Sequence, residues 1–167
     1  NIKINNNILI NKASINSKDI KKNNIFFGIK GKNIDGNKFA DEALKKKATI
    51  CILEKNYSKK NPRKIFVKDT LKTFSNLSCI IRKSLGTPIV AITGSAGKTS
   101  LKELIGQSLN TLIPTSYSKK SFNNQYGVPL SLFNIDKKHK IGVFEIGMDK
   151  KGEIHKLSNL IQPDIGV

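Results

Sequence analysis

Ile92-Thr93-Gly94-Ser95-Ala96-Gly97-Lys98-Thr99-Ser100 is the stretch whose reading decides the fold. An apolar run from Pro88 to Ile92 leads into it, and Leu101, Leu104, Ile105 and Leu109 follow on one face at helical spacing. The order is strand, glycine loop, helix N-terminus, which is the order that binds phosphate. Glycines let backbone N–H groups turn toward an anion, the helix dipole adds positive potential, and the Lys98 ammonium reaches the terminal phosphates. The general P-loop pattern, G-x-x-x-x-G-K-[ST], has a glycine five residues before Gly97, and Ile92 stands there instead, so the match is to a shorter variant, T-G-S-x-G-K-T-S. The plainer alternative is a strand-to-helix turn whose glycines serve geometry alone, with Lys98 solvated. Strand, both glycines, lysine and hydroxyls in succession favour nucleotide phosphate.

At 167 residues the chain accommodates one domain or two small ones. No apolar run reaches the ~20 residues that a membrane-spanning helix needs. The chain starts Asn-Ile-Lys, without an initiator methionine or a signal-peptide pattern, so the expectation is a cytoplasmic protein or a piece lacking its true start. The formal charge of +18 invites a nucleic-acid reading. The residues argue against it: among 30 basic side chains only Arg63 and Arg82 are arginine, the residue that phosphate and base recognition favours. The lysines are dispersed among asparagine and isoleucine, so a solvated lysine surface is preferred and no nucleic-acid partner is expected. Cys51 and Cys79 read as small buried hydrophobes in a reducing compartment. His139 and His155 lack a second ligand at metal spacing and read as surface residues.

Along the chain, Ile8-Leu9-Ile10 and Ala13 to Ile15 suggest short strands, and Ile25 to Ile29 a firmer one. A loop follows from Lys30-Gly31 to Asp35-Gly36, then a helix from about Lys38 with Phe39, Ala40, Ala43 and Leu44 inward. Ala48 to Leu53 and Ile65 to Val67 read as strands. Asp69-Thr70 opens a long helix with Leu71, Phe74, Leu77, Ile80, Ile81 and Leu85 inward, and Gly86-Thr87-Pro88 ends it. That break predicts two domains, residues 1–86 and 87–167. In the second, a long polar loop runs from about Pro114 to Gly127, and Leu130, Leu132 and Phe133 resume an apolar pattern. Ile141 to Ile146 is a strand with Glu145 near its C-terminal end, where open α/β sheets bind ligands. A carboxylate is costly on a buried strand without a partner, so Glu145 is read either as a Mg²⁺ ligand or as a water-exposed strand end. A helix from about Lys151 to Ile161, with Ile154, Leu157, Leu160 and Ile161 inward, and a strand from Asp164 complete an α/β pattern of mainly parallel type.

Three blocks of the second part resemble the ATP-dependent Mur ligases of peptidoglycan synthesis. Thr93 to Ser100 is similar to the family's ATP loop, in which the shortened motif is usual. Phe122-Asn123-Asn124-Gln125-Tyr126-Gly127-Val128-Pro129 is similar to the N-N-x-x-G-x-P block of the type that adds D-alanyl-D-alanine. Phe144-Glu145-Ile146-Gly147-Met148, with Gly152-Glu153-Ile154 and Gln162-Pro163-Asp164, resembles its E-M-G…G-E-I…P-D run. The first part resembles the family's small uridine-nucleotide-binding domain: Ile25 to Gly31, Asp35-Gly36 and Phe39 follow its F-x-A-x-x-G…D-G-x-x-F run, and Asn16-Ser17-Lys18 stands where Asp-Ser-Arg is usual. Lysine does not reproduce arginine's bidentate fork.

The resemblance implies an α/β fold: a small N-terminal substrate-binding domain, then the first part of a P-loop ATP-binding domain. It implies ATP and Mg²⁺ as cofactors, and UDP-N-acetylmuramoyl-tripeptide and D-alanyl-D-alanine as substrates. ATP would convert the tripeptide carboxylate to an acyl phosphate, which the dipeptide amine attacks. Lys98 and the backbone of Gly94, Ser95, Ala96, Gly97, Thr99 and Ser100 would hold phosphate, with Lys98 and Glu145 the catalytic pair. Thr99 or Ser100, with Glu145, would hold the metal. Asn123 and Asn124 would orient the peptide, turn formation being the alternative for both, and Ser17, Lys18, Lys30, Gly31 and Asp35 would meet the uridine nucleotide. A monomer is expected. Members of the family continue into a metal-holding histidine and a C-terminal domain, so the 167 residues alone are expected to lack ligase turnover. A sister amide ligase, a basic P-loop ATPase acting on nucleic acid and a non-catalytic nucleotide-binding module remain open from these residues.

Overall fold

The computed structural model describes residues 10–57, 61–118 and 121–167; the expected strand at Ile8-Leu9 lies outside them. Two compact units, Asn1–Phe74 and Ser75–Val167, divide the chain. The first is a parallel four-stranded sheet in the order β1-β2-β3-β4, with β1 Lys12–Ser14, β2 Asn24–Phe27, β3 Ile50–Leu53 and β4 Lys64–Phe66. β2 and β3 are buried at every residue, as central strands of a parallel sheet covered on both faces must be. Because side chains alternate across a strand, Phe26 and Phe27 serve opposite faces. Phe26 packs with Ala40, Ala43 and Leu44 of helix α1, Ala40–Lys45. Phe27 lies 4.5 Å, centroid to centroid, from Phe74 of helix α2, Thr70–Leu85.

The helix expected from Lys38 begins as a 3₁₀ turn, Gly36–Phe39, and becomes α-helical only at Ala40. Phe39 is exposed rather than inward, because it sits at that change of pitch. The boundary also moves. The units divide within α2, between Phe74 and Ser75, rather than at Gly86-Thr87, because the second half of the helix is bonded into the second unit. The Ser78 hydroxyl donates to the Pro129 carbonyl at 2.9 Å, Cys79 Sγ to that of Leu160 at 3.3 Å, and Arg82 Nη2 to Gln162 O at 3.2 Å and Asp164 Oδ2 at 2.8 Å. Phe74, Ser78 and Arg82 form the buried stripe at i, i+4, i+8, and Ile80, expected inward, is 61% exposed.

In the second unit the sheet order is β6-β7-β5-β8, all parallel, with β5 Ile89–Ile92, β6 Thr115–Tyr117, β7 Ile141–Glu145 and β8 Ile165–Gly166. One face carries Ile89, Ala91, Phe144 and Ile146 against helices α4, Gly127–Phe133, and α5, Glu153–Ile161. The other carries Val90, Ile92 and Val143 against helix α3, Lys98–Asn110. The polar loop expected from Pro114 to Gly127 contains β6, a three-residue edge strand too short to show periodicity, and α4 starts at its end. Leu104 and Ile154, expected inward, are exposed; on α3 the buried positions are instead Lys102 and Gly106. A Cβ on Gly106 would lie 2.6 Å from the Tyr117 ring, so α3 packs closely on β6 only with glycine there.

Phe74 is fully buried against Phe27. Phe74→Ala is expected to lower unfolding stability by ~3–5 kcal/mol and Phe74→Leu by less than about 2 kcal/mol, read from urea denaturation.

Candidate functional site

The end of β5 leads into a loop held from both sides of the strand: the Thr93 N–H donates to the Val167 carbonyl at 2.8 Å and its hydroxyl to the Ile146 carbonyl at 3.2 Å. Gly94 and Gly97 then take φ of 143° and 75°, conformations that side chains disfavour and that turn the loop back to start α3. Gly97 is the N-cap of α3 and supplies no side-chain bond, so the N–H groups of the first helical turn are not capped by a side chain and lie where an anion is stabilised by the dipole. Lys98 Nζ donates to the Gly94 carbonyl at 2.6 Å and so lies across the mouth of the loop.

Glu145 ends β7, paired in register with Ile92, the last residue of β5. Ile141, Val143 and Glu145 share the α3 face of the sheet, so the carboxylate faces the first turn of that helix. It is 1% exposed, which removes the water-exposed reading. Its Oε2 accepts from the Thr99 hydroxyl at 2.8 Å and its Oε1 from Asn123 Nδ2 at 2.7 Å. Asn123 is itself fixed, because its carbonyl accepts the Gly147 N–H at 2.7 Å. Thr99, Asn123 and Glu145, from three separate sequence blocks, thus meet at the C-terminal edge of the sheet beside the glycine loop. Asn124 does something different: its Oδ1 accepts the N–H groups of Tyr126 and Gly127, both at 3.0 Å, and shapes the turn into α4.

A threonine hydroxyl and a carboxylate are hard oxygen donors, the kind Mg²⁺ takes. No group of three or more His, Cys, Asp or Glu side chains suited to a metal occurs among the described residues. A cation here would therefore complete its shell with phosphate oxygens and water, as Mg²⁺ commonly does with a single protein carboxylate.

In the first unit, Lys30 and Asp35 pair across a tight hairpin in which the Gly31 N–H donates to Ile34 O at 2.8 Å. The Asp35 carboxylate is heavily used. Its Oδ1 accepts from Asn37 N at 3.0 Å and Asn37 Nδ2 at 2.6 Å, and its Oδ2 from the Tyr57 hydroxyl at 2.7 Å. The hydrogen bond from the Asn37 side chain, with that from Tyr57, holds the Asp35 carboxyl below its usual range against some desolvation. The same bond to Asp35 raises the Tyr57 phenol. Ser17 and Lys18 sit on a different turn: Ser17 is buried and donates to Glu42 Oε2 at 3.0 Å, while the Lys18 side chain is exposed. Asn16 caps that turn by accepting the Lys18 N–H at 3.0 Å. Sequence reasoning passed over Lys102, fully buried on α3, because a lysine four residues after a phosphate-loop lysine reads as surface charge.

These features define a strand, glycine loop and helix N-terminus facing a buried carboxylate, on a parallel sheet preceded by a small α/β unit. The sequence matches the Mur ligase family, catalytic domain, over residues 9–106 and the Mur ligase middle domain over residues 92–167. The chain belongs to the Mur ligase family. It is 37% identical over 158 residues to the UDP-N-acetylmuramoyl-tripeptide--D-alanyl-D-alanine ligase of Buchnera aphidicola from Acyrthosiphon pisum, covering 95% of this chain and 34% of that protein. With the same-named ligase of Haemophilus influenzae the identity is 30% over 162 residues, covering 95% and 35%. Among solved structures, MurF of Acinetobacter baumannii superposes with a TM-score of 0.82 at 28% identity, covering 94% of this chain and 35% of that one. MurF of Thermotoga maritima in complex with ADP gives 0.78 at 30% identity, covering 95% and 37%. The chain spans about a third of the length of the relatives it matches. Among the described residues, no helix is long and apolar enough to cross a membrane.

The Asp35–Tyr57 bond sets a pH window. The lowered Asp35 contributes stability above its unfolded value of 3.8 that is lost as pH falls through its lower folded value; the raised Tyr57 contributes below 10.0 and loses it as pH rises further. In Tyr57→Phe, the Asp35 carboxyl followed by NMR should titrate at higher pH than in the wild type yet stay below 3.8, because the larger Asn37 bond remains.

Proposed function

We propose that the chain carries the ATP-loading part, and the uridine-nucleotide-binding unit, of an ATP-dependent amide ligase that joins D-alanyl-D-alanine to UDP-N-acetylmuramoyl-tripeptide. The observation that carries this is the meeting of Thr99, Asn123 and Glu145 beside the Gly94–Gly97 loop. A carboxylate is a poor electrophile, and its phosphorylation depends on placing ATP in line and neutralising charge as it moves. The backbone N–H groups of Ser95 to Thr99 and the Lys98 ammonium bind the β- and γ-phosphates, for which Lys98 exchanges its bond to Gly94 for one to phosphate. Thr99 and Glu145 hold Mg²⁺, which when bound offsets phosphate charge. Asn123 fixes the rotamer of Glu145 through Oε1. Ser100, exposed in the first turn of α3, is an additional phosphate contact.

The acyl phosphate formed on the tripeptide is then open to the amine of D-alanyl-D-alanine, with inorganic phosphate leaving. Ser17, Lys18, Lys30, Gly31 and Asp35 line the uridine-nucleotide site of the first unit. In that unit Ser17 and Asp35 act by shaping the turns, since both side chains are bonded to their own chain, and Lys18 and Lys30 present charge to the diphosphate. Asn124 contributes by setting the turn that carries Asn123. Names of the relatives and the ADP held by the Thermotoga maritima protein support this reading. A cytoplasmic location and a monomeric state are part of the same proposal.

The test is titration calorimetry of the 167-residue chain with ADP in Mg²⁺ and in EDTA. Binding strengthened by Mg²⁺ is expected. Lys98→Ala should weaken it ~10- to 100-fold, from the ~1.5–3 kcal/mol of a hydrogen bond to a charged group. Tight, steeply salt-dependent binding of RNA or DNA with no response to ADP would sink the proposal, and so would amide formation by this chain alone.

A further inference from the structure

The first unit buries one amide side chain that belongs to no strand. Asn37 lies in the 3₁₀ turn Gly36–Phe39 and is 2% exposed. A buried amide is costly unless its donors and acceptor find partners, and here the partners come from two separate places. Asn37 Oδ1 accepts the Glu54 N–H at 2.7 Å and the Lys55 N–H at 3.3 Å, from the first two residues after β3. On its other side, Asn37 Nδ2 donates to Asp35 Oδ1 at 2.6 Å. One side chain thus joins the exit of β3 to the hairpin that follows β2.

Two glycines permit this approach. A Cβ on Gly28, just past β2, would lie 3.0 Å from Asn37 Cα and 2.6 Å from Leu53 Cδ2, and one on Gly36 would lie 2.5 Å from the Ile29 carbonyl oxygen. The returning arm of the hairpin therefore lies directly on the outgoing arm. From Asn37 to the hairpin tip every link is a contact: Asp35 bridges Lys30, the Gly36 N–H donates to Ile29 O at 2.9 Å, and the Gly31 N–H donates to Ile34 O at 2.8 Å. Tyr57, three residues beyond Glu54, donates to the second Asp35 oxygen.

We propose that Asn37 is a positioning residue of the uridine-nucleotide site: it hangs the hairpin of residues 30–35 from the exit of β3, and so fixes where the exposed Lys30 stands at the C-terminal edge of the first sheet. Ligands of open parallel sheets bind at that edge. An apolar residue of similar size would fill the space of Asn37, but it would leave the Glu54 N–H and Asp35 Oδ1 without their partner. The hairpin would then lose its buried attachment and keep the exposed one from Tyr57.

The ligand arm of the test rests on the uridine-nucleotide reading above; the exchange arm does not. In Asn37→Leu, hydrogen exchange of the Gly31 N–H should be ~10-fold faster or more, while the Thr49 and Cys51 amides, bonded to Asn24 O and Arg63 O at 2.8 Å each, change by less than about 3-fold. Asn37→Asp keeps the acceptor for Glu54 and Lys55 but sets a second carboxylate against Asp35. It should speed Gly31 as much while the Glu54 amide stays within about 3-fold of wild type, a split that general loss of stability does not produce. This variant makes the test alone should the leucine one not fold. The Asp35 carboxyl followed by NMR gives a spectroscopic signature: it should titrate at higher pH in Asn37→Leu than in Tyr57→Phe, because the Asn37 side-chain bond lowers it most. Unchanged exchange at Gly31, acceleration shared equally by Thr49 and Cys51, or the reverse order of Asp35 titration overturns the proposal. In the ligand arm, calorimetry with UDP in excess ADP should show ~10-fold weaker binding by Asn37→Leu. Unchanged UDP affinity beside a loosened hairpin overturns the placing of Lys30 in the site. If the wild type binds no UDP, the uridine-nucleotide reading fails, and the exchange comparison alone decides whether Asn37 sets the hairpin.

Discussion

The Glu145 carboxylate, buried at the end of β7 and shared between Thr99 and Asn123, is the constraint around which the second unit is arranged. Removing a carboxylate from water costs several kcal/mol, and hydrogen bonds from donors already held in place offset that cost. Thr99 is held because it lies in the first turn of α3, and Asn123 because its carbonyl is tied to the Gly147 N–H. The register of β5 with β7 then matters: Ile92 opposite Glu145 puts the start of the glycine loop level with the carboxylate. A shift of one residue would turn Glu145 to the α4 and α5 face, beside Ile89 and Ala91 of β5, where none of its present donors reaches. The apolar pairing of the strands and the polar site at their ends thus specify the same register.

Charge in this protein divides by burial rather than by number. The net charge of +18 is carried mostly by exposed lysines. Two of the described lysines are buried, and each has a carboxylate: Lys64 with Asp41 Oδ1 at 2.6 Å, and Lys102 with Glu103. Lys64 ties the edge strand β4 to α1, and Lys102 ties α3 to the end of β6. Exposed lysines respond to salt and add a positive field that attracts phosphate-bearing ligands. The total charge therefore informs solubility and encounter, while the placed lysines inform geometry.

Most of the architecture was legible because the strands of a fully covered parallel sheet are runs of apolar residues, as at Ile25-Phe26-Phe27, Ile50 to Leu53 and Ile89 to Ile92. The strand, glycine loop and helix start were legible because the glycines and hydroxyls occur in a fixed order. Helical periodicity misled where the buried stripe was polar. On α2 it is Phe74, Ser78 and Arg82, two of them polar, so the apolar pattern pointed Ile80 inward; the boundary was read instead from the Gly86-Thr87-Pro88 break, while the contacts divide the chain within the helix. On α3 Leu101, Ile105 and Leu109 pack against the sheet as their spacing predicts, while Leu104 is exposed and the fully buried positions are Lys102 and Gly106. β6 escaped because three residues at a sheet edge carry no period. The pairing of Asn123 with Glu145 spans 22 residues, and no local rule joins them; only the resemblance set both in one site.

The first unit shows how a departure from a family motif can leave the fold intact and still bear on the ligand. Asn16 stands where aspartate is usual, and its side-chain oxygen accepts the Lys18 N–H as an aspartate would, while its amide adds a bond to Asp19 Oδ2 at 3.0 Å. The cap is preserved, since asparagine and aspartate are nearly equivalent N-caps, and a negative charge is removed. Lys18 in place of arginine is exposed, and its side chain carries none of the bonds that hold its turn; these come from its backbone, the carbonyl accepting from Lys46 Nζ at 3.2 Å. The fold is thus indifferent to both exchanges. Their consequence falls on whatever anion meets this turn: a point charge replaces a planar fork, and one fewer carboxylate stands nearby to repel it. Only the aspartate exchange changes the field, which it makes more positive; the arginine exchange keeps the charge and removes the planar fork.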